Sequence, residues 1–164
     1  MTAHQNGYVP VSVDKVLLSE RGGVILLVTD QEPYVGKVLP VFVDTGQAVN
    51  IQLALTNEIP PRPFTHDLLT TILNELGAIV IGLSVDELAQ NTFFSTIEIE
   101  MERGGKTVIE RFDARPSDGI ALALRADAPI RIRATVLDSA AVDPDELFGD
   151  DSDSDDMPGF KLEP

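Results

Sequence analysis

The sequence predicts an α+β domain in which three helices pack on a largely antiparallel or mixed sheet of about seven strands. Short apolar segments, bounded by turn residues, are typical of strands. Three longer segments repeat apolar residues at helical spacing. The strands come first as a group and are followed by alternating helices and strands, and three helices on such a sheet form an α+β domain.

The first half of the chain is predicted to contain three strands and one helix. Alternating valines predict a half-buried strand over 9–18, and a glycine turn leads into a more apolar strand over 24–29. A glycine and a proline interrupt the third strand, 34–43, which favours a bulge or a sheet edge. A helix is expected from residue 44 or 45 to about residue 57, because the prolines that follow forbid helix.

The second half is predicted to contain two helices and four strands. Thr65 is expected to cap a helix whose buried stripe comprises Leu68, Leu69, Ile72, Leu73 and Leu76. Three strands are then predicted at 78–85, 92–103 and 106–113, the last two joined by a glycine hairpin. Ser117 is expected to cap the third helix, and a last strand is predicted over 129–138.

The chain is acidic, and the charge is uneven. Its 164 residues have 27 acidic and 12 basic side chains, a net charge of −15. Acids dominate residues 142–164, which contain too little apolar surface to offset chain entropy. We therefore expect a folded domain over 1–141 and a disordered acidic tail over 142–164. An acidic, lysine-poor surface is typical of a halophile, and we expect a haloarchaeal protein; a mesophilic protein with an acidic interaction tail is the alternative.

Composition also narrows the chemistry. There is no cysteine, so disulfides, thiolate zinc sites and cysteine nucleophiles are excluded. With only two histidines, His4 and His66, a metal site would depend mainly on carboxylates. No apolar run reaches bilayer length and the start of the chain lacks a signal-peptide pattern, so we expect a soluble, cytoplasmic protein without membrane contact.

Two segments of similar design indicate where a site should lie. Residues 62–67 and 112–118 each contain an Arg-Pro step, followed by a hydroxyl group, an acid and an apolar helix. The N-terminus of a helix has free N–H groups and the positive end of the dipole, and both favour anions. A functional site is therefore expected where the two helix starts meet.

These two segments supply the residues that phosphodiester hydrolysis needs. Mg²⁺ or Mn²⁺ would be held by the carboxylates of Asp67, Asp113 and Asp118, and His66 would complete the catalytic set as a general base. Substrate phosphate would be bound by four further residues, Arg62, Thr65, Arg115 and Ser117.

The same residues fit two other interpretations. Acids in the first turn stabilise a helix by about 0.3–1 kcal/mol without any ligand. Thr65 and Ser117 are also ordinary cap residues, and the arginines can pair with Asp67 or Asp113 in a structural network. A non-catalytic anion or nucleotide site is the third interpretation. The residues alone leave all three open.

Several motifs occur in an order that resembles a known family. They are Leu-Pro-Val at 39–41, Arg-Pro-Phe-Thr-His-Asp-Leu-Leu at 62–69, Thr-Phe-Phe at 92–94, Asp-Ala-Arg-Pro-Ser-Asp at 113–118 and Ile-Ala-Leu-Ala-Leu-Arg at 120–125. Over roughly residues 10–140 the chain resembles the bifunctional nuclease domain family. Two positions depart from the family pattern, since Gln47 stands where glutamate is common and Gly119 where alanine is expected.

The resemblance implies a compact α+β domain that forms a dimer or trimer. It also implies a nuclease that degrades both DNA and RNA without strong sequence preference. The carboxylates described above would make that activity metal-dependent. The alternative function is a non-enzymatic oligomeric module whose acidic tail, with Phe160 near its end, recruits a protein partner.

Overall fold

A single mixed sheet of seven strands organises residues 7–149, which are the residues that the computed structural model describes. The strands are β1 (Tyr8–Ser19), β2 (Gly22–Val28), β3 (Leu39–Val43), β4 (Ala78–Ala89), β5 (Thr92–Arg103), β6 (Lys106–Ala114) and β7 (Ile130–Arg133). Their order across the sheet is β3-β2-β1-β7-β4-β5-β6. All neighbours are antiparallel except β4 and β7, which are parallel. The predicted fold class and mixed sheet are confirmed.

The described part of the chain contains five helices, not three. They are α1 (Thr45–Leu55), α2 (Thr65–Glu75), α3 (Pro116–Ala126), α4 (Ala134–Ala140) and α5 (Pro144–Phe148). Helices α1 and α3 contact each other and pack on the strands, whereas α2 contacts α3 and β4 nearer the β5–β6 end of the sheet. None of these helices is long and apolar enough to cross a bilayer.

Apolar burial divides into two clusters. The larger one joins β1, β2, β3, β4 and β7 to α1, α3 and α4, and its fully buried side chains include Ile25, Ile51, Leu83, Ile120 and Ile132. The smaller cluster lies where α3 and α2 cover β4 and β5, around Val80, Ile97, Ile99 and Leu122. Helix α3 contributes to both clusters, which fixes its position on the sheet.

The last predicted strand, 129–138, is wrong beyond residue 133. Strand β7 pairs with β1 and β4 only over Ile130–Arg133, and the chain then turns into α4, which buries Val136 and Leu137. Two further boundaries differ. The third strand begins at Leu39 instead of residue 34, and order extends into the predicted tail, because Val142 bridges Val38 and α5 follows. Residues 150–164 lie outside the described residues.

The two predicted N-caps are also wrong by one or two positions. Helix α2 begins at Thr65 with Phe64 as its N-cap, and α3 begins at Pro116 with Arg115 as its N-cap. Proline at the first helical position lacks an N–H group that would be unpaired anyway, so it starts the helix ahead of Ser117. In α2 the Asp67 carboxylate accepts from the Phe64 N–H at 2.8 Å, which closes the helix start without a hydroxyl cap.

The stripe predicted to be buried in α2 is mostly exposed. Leu68, Leu69, Ile72 and Leu76 are 51%, 40%, 45% and 77% exposed, and only Leu73 packs against the smaller cluster. The reason is positional, since the main contacts of α2 are with α3 and β4. Helical periodicity predicted the element correctly but not what it packs against.

Gly119 lies at the start of α3, where the helix approaches β4 closely. A Cβ atom at this position would lie 2.3 Å from Cδ1 of Leu83, which is fully buried. The departure from the alanine of the family pattern therefore has a packing cause, because the Leu83 side chain occupies the space of the missing methyl group.

We expect Gly119→Ala to lower the free energy of unfolding by about 1–3 kcal/mol, because overpacking outweighs the gain of about 1 kcal/mol in helix propensity. Urea denaturation measures this change. The compensating pair Gly119→Ala with Leu83→Val should recover part of the loss, since the pair roughly conserves volume. A single Gly119→Ala variant that is more stable than wild type would contradict this packing account.

Candidate functional site

The two helix starts that the sequence singled out meet in the structure. His66 in the first turn of α2 and Asp118 in the first turn of α3 are in direct contact, with Nε2 of His66 2.9 Å from Oδ1 of Asp118. The two side chains are 18% and 29% exposed, so the contact is sheltered but reachable from solvent.

A third helix start opens onto the same place; the sequence predicted this helix but not that its start faces the site. Asp44 caps α1 by accepting from the Gln47 N–H at 2.8 Å. Together with the starts of α2 and α3, this segment forms a cleft of about 340 Å³ lined by Asp44, Gly46, Gln47, Asn50, Phe64, Thr65, His66, Arg115 and Asp118. The sequence did contain a signal for this third start. Asp44 is a typical N-cap residue, and it lies three positions before Gln47, which departs from the family pattern.

Three helix starts surround the cleft, and helix starts are features that favour anions. Helices α1, α2 and α3 have 11 residues each, long enough to direct a dipole toward the cleft. Each start also leaves N–H groups of its first turn without intrahelical partners. An anion in the cleft would therefore meet three positive helix ends as well as the Arg115 guanidinium.

His66 is clamped at both ring nitrogens. Its Nδ1 atom lies 2.7 Å from the Asn50 amide nitrogen, and the Asn50 oxygen accepts from Nη2 of Arg125 at 2.6 Å. Because arginine can only donate, this bond fixes the Asn50 amide so that its NH₂ group faces His66. His66 must then accept at Nδ1 and donate from Nε2 to Asp118, which assigns its tautomer.

Arg125 joins all three helices behind the cleft. Besides Asn50 on α1, its guanidinium binds Oδ1 of Asp67 on α2 at 2.6 Å and the Ala121 carbonyl on α3 at 2.9 Å. Its side chain is only 10% exposed. Sequence reasoning missed Arg125 and Asn50; the signal was a polar residue, Asn50, between apolar helix neighbours, which must find partners when buried.

Asp67 is held away from the cleft by these bonds. Burial raises the pKa of the Asp67 carboxyl, but the hydrogen bonds from Arg125 and from the Phe64 N–H outweigh it, so the pKa lies below its usual range. Both oxygens already have donors, Oδ1 from Arg125 and Oδ2 from the Phe64 N–H. Its role in the structure is to link α2 to α3.

Asp118 and Arg115 form a bidentate pair at the cleft. Arg115 donates from Nε to Oδ2 of Asp118 at 2.6 Å and from Nη2 to Oδ1 at 3.2 Å. Burial raises the pKa of Asp118, but the bonds from Arg115 and His66 outweigh it and the net pKa is lowered. The bond to Asp118 raises the pKa of Arg115. With its amide oxygen turned toward Arg115, Gln47 accepts from the same guanidinium at 3.0 and 3.2 Å.

The remaining predicted residues are distributed unevenly. Thr65 lines the cleft, and Ser117 is buried beneath it at 6% exposure. Arg62 is exposed, does not line the cleft and makes no hydrogen bond within residues 7–149. Asp113 is exposed near the end of β6, where its backbone pairs with β5, and its side chain makes no hydrogen bond within residues 7–149.

The predicted metal ligands do not come together. Within residues 7–149 no three His, Asp or Glu side chains form a group that could hold a metal ion. The oxygens of Asp67 and Asp118 already accept from arginine, histidine and backbone donors, and the Asp113 side chain bonds to neither pair. This donor set does not fit the Mg²⁺ or Mn²⁺ centre that the sequence predicted.

An apolar groove adjoins the polar cleft. It has a volume of about 780 Å³ and shares Thr65, His66, Arg115 and Asp118 with the cleft. Its other lining residues are mostly apolar, namely Leu69, Leu73, Ile97, Ile99, Phe112, Asp113, Ala114 and Leu122. The groove runs between α2 and β6, the edge strand of the sheet.

The fold and the cleft together define an α+β domain with a polar cleft lined by three helix starts. The bifunctional nuclease domain matches residues 24–145, and the chain belongs to that family. An uncharacterized protein of Mycobacterium tuberculosis is 32% identical over 117 residues, which are 71% of this chain and 65% of that protein. Bifunctional nuclease 2 and bifunctional nuclease 1 of Arabidopsis thaliana are 27% and 26% identical over 106 residues, 65% of this chain and 32% of each plant protein. The chain thus spans less than two thirds of these relatives.

We expect the imidazole of His66 to have a protonated Nε2 and an unprotonated Nδ1. Nitrogen chemical shifts in a His4→Gln background, which leaves one histidine, measure this directly. Arg125→Met should release the Asn50 amide and produce a mixture of tautomers. The control Arg111→Met, which removes an arginine bound to Glu98 elsewhere, should leave the spectrum unchanged. A protonated Nδ1 in wild type would contradict the assignment.

We expect Asp118 to contribute to the loss of stability in acid. Since its folded pKa lies below its unfolded value, its contribution is present above the ordinary carboxyl pKa of about 3.9 and is lost as pH falls through the folded pKa. Melting temperatures of Asp118→Asn should therefore fall less steeply than those of wild type below about pH 4. Asp113→Asn, an exposed control, should keep the wild-type slope. Equal slopes for both variants would count against the Asp118 network.

Proposed function

We propose that this chain is a nuclease that hydrolyses phosphodiester bonds in DNA and RNA at the cleft formed by the starts of α1, α2 and α3. The observation that supports this most is the convergence of three helix N-termini on one solvent-reachable cleft that also holds Arg115, His66 and Asp118. Membership of the bifunctional nuclease domain family, and the names of the plant relatives, favour the same activity.

The first step of the proposal is phosphate binding. A phosphodiester anion would receive hydrogen bonds from Arg115 and from first-turn N–H groups, in a position now served by the Asp118 carboxylate. Such contacts read the backbone and not the bases, so little sequence preference is expected. Transfer of the Arg115 donors to phosphate would free Oδ2 of Asp118.

The second step is activation of water. Asp118 has a lowered pKa and is ionised at neutral pH, so its freed Oδ2 can accept a proton from the attacking water. The water oxygen then forms a new P–O bond while the P–O bond to the leaving sugar oxygen breaks, and that oxygen takes a proton from solvent. His66 would keep the carboxylate in place through its Nε2–H group, while Asn50 holds the ring. In this scheme His66 positions Asp118 and does not act as the base, because neither of its ring nitrogens is free.

The proposed chemistry depends on side chains and helix ends, because the carboxylates predicted as metal ligands are not grouped. Metal dependence is therefore an experimental question of its own.

The acidic, lysine-poor composition favours action in a salt-rich cytoplasm, where a net charge of −15 repels nucleic acid least. Screening at about 1 M salt reduces the range of that repulsion to roughly 3 Å.

A non-enzymatic interaction module is the second candidate. Two observations favour it: every oxygen of Asp67 and Asp118 already has a donor within the domain, and the apolar side of α2 is exposed. A fully paired polar network stabilises a fold without any substrate.

We expect cleavage of single- and double-stranded DNA and RNA oligonucleotides in roughly 0.1–3 M KCl, a range that spans weak to strong screening. Arg115→Gln should reduce the rate about 10²–10³-fold through loss of a phosphate donor. Asp118→Asn should reduce it about 10²–10⁴-fold through loss of the proton acceptor. Quantified product bands over time measure both.

Arg111→Gln is the matched control, because this exposed arginine pairs with Glu98 on β5 and lies outside the cleft lining. It should cleave at the wild-type rate. Activity that survives both cleft substitutions would place the chemistry elsewhere, and a wild type inactive at every salt concentration would favour the interaction module. Parallel reactions with EDTA, Mg²⁺ or Mn²⁺ decide whether a metal joins the site with the substrate.

A further inference from the structure

We propose that the apolar groove beside the cleft binds an unpaired nucleobase of the substrate, with the ring of Phe112 stacked on the base. The inference rests on the proposed function, because the phosphate attached to that nucleoside would lie in the cleft at Arg115. It adds a base subsite to the proposed nuclease and makes single strands its better substrates.

The apolar groove and the polar cleft meet along shared side chains. Thr65, His66, Arg115 and Asp118 line both cavities. A phosphate that accepts hydrogen bonds from Arg115 would therefore leave its sugar and base at the entrance of the groove. A nucleotide has the same division of polarity, since its phosphate is charged and the faces of its base are largely apolar. The sequence of polar and apolar surface in the two cavities thus matches one nucleotide.

The groove has the size and lining of a small-molecule site. Its volume of about 780 Å³ lies within the roughly 300–1,000 Å³ of typical ligand pockets, which combine apolar walls with a few polar groups. Ile97 and Ile99 of β5 are buried, at 4% and 7% exposure, whereas Leu69 of α2 and Phe112 of β6 are 40% and 48% exposed. The groove therefore has a buried floor with a half-exposed apolar side chain on each side.

Phe112 is the aromatic side chain of the groove lining. It stands directly opposite Ile97 in the pairing of β5 with β6, so both side chains project from the face of the sheet that α2 and α3 cover. Because β6 is the last strand of the sheet, the Phe112 ring keeps almost half of its surface accessible. An exposed aromatic ring close to an arginine is the combination on which single-stranded nucleic acids stack their bases.

The groove offers little that would distinguish one base from another. Beyond the boundary with the cleft its lining is apolar except for Asp113. Asp113 follows Phe112 along β6, so strand alternation directs its side chain to the other face of the sheet. Recognition of a particular base needs hydrogen bonds to the base edge, whereas stacking accepts every base. The subsite therefore agrees with a nuclease that has little sequence preference.

A base subsite also suits the charge of this chain. The net charge of −15 repels nucleic acid in dilute buffer, and the salt that screens this repulsion also removes the counterion release that favours phosphate binding. Burial of an apolar surface does not depend on counterion release. Contact between a base and Phe112 would thus retain the substrate at salt concentrations where phosphate contacts are weakened.

The test compares two probes that bind to the full chain in about 1 M KCl, where charge repulsion is screened. One is a short single-stranded oligothymidylate and the other is an abasic sugar–phosphate chain of the same length, both with phosphorothioate linkages that resist cleavage. By fluorescence polarisation, wild type should bind oligothymidylate about 5- to 150-fold more tightly, the factor that corresponds to about 1–3 kcal/mol per stacked base. Phe112→Leu removes the aromatic ring but keeps an apolar side chain. It should lose most of this difference and bind the abasic chain as wild type does.

Phe94→Leu is the matched control. Phe94 is 45% exposed, does not line the groove and lies three positions before Ile97 on β5, so strand alternation places it on the other face of the sheet. This variant should bind both probes as wild type does. An equal loss of affinity for both probes in Phe112→Leu would overturn the base subsite, as would a loss of the base-dependent part in Phe94→Leu alone.

The base subsite and the proposed nuclease fail in different ways. Equal affinity of wild type for the two probes would overturn the subsite and leave the phosphate site intact. Base-dependent binding without cleavage of unmodified DNA or RNA would overturn the nuclease and leave the subsite intact. Binding of neither probe would overturn both.

Other occupants of the groove would give results of their own. If a second copy of the chain covered the groove, the affinity for oligothymidylate would fall as the protein concentration rises. If residues 150–164 occupied it, base-dependent binding would appear only after those residues are removed. Either result would overturn the assignment of the groove to a base.

The position of cleavage provides a second measurement. In a hairpin oligonucleotide, a paired base of the stem must leave its stack before it can enter the groove, whereas a base of the loop is already accessible. Cleavage by wild type should therefore concentrate in the loop, and Phe112→Leu should slow loop cleavage while Phe94→Leu does not. Uniform cleavage along loop and stem would contradict the base subsite.

Discussion

The geometry of the cleft depends on the buried guanidinium of Arg125. It donates to Asn50 on α1, Asp67 on α2 and the Ala121 carbonyl on α3, so one side chain fixes three helices. Without it, Asp67 would lack its charge partner and the Asn50 amide would be free to turn. A buried charge left unpaired is strongly destabilising. Loss of one partner in the network behind the cleft should therefore cost more stability than loss of an exposed pair at the mouth of the cleft.

In the cleft, the charged side chains are bonded to one another. Asp118 receives bonds from His66 and Arg115, and Gln47 shares the same guanidinium. An incoming anion must therefore compete with a carboxylate for donors that are already in place. Such exchange favours ligands with two oxygens that match the fork of the guanidinium, which a phosphate has and a chloride ion lacks. In concentrated salt, selectivity for phosphate over chloride would matter more than the affinity for phosphate alone.

Local sequence patterns predicted most helices and strands correctly, but not what those helices and strands pack against. The strands β1, β2, β4, β5 and β6 and the helices α1 to α3 follow from periodicity, and the meeting of α2 and α3 followed from two similar segments. The helical continuation after β7 was missed, because its apolar residues suit a strand equally well until the pairing partners end at Arg133. The exposure of α2 and the place of Arg125 depend on tertiary packing, which a single sequence does not encode locally.

Strand β1 has a consequence for how the boundaries of such domains are drawn. The family match begins at residue 24, after β1 has ended at Ser19. Yet β1 lies in the middle of the sheet, and it alone joins β2 and β3 to β7, β4, β5 and β6. A fragment limited to residues 24–145 would lack β1. Its sheet would divide into β3-β2 and β7-β4-β5-β6, with four unpaired strand edges. A strand outside the family match thus holds the two parts of the sheet together.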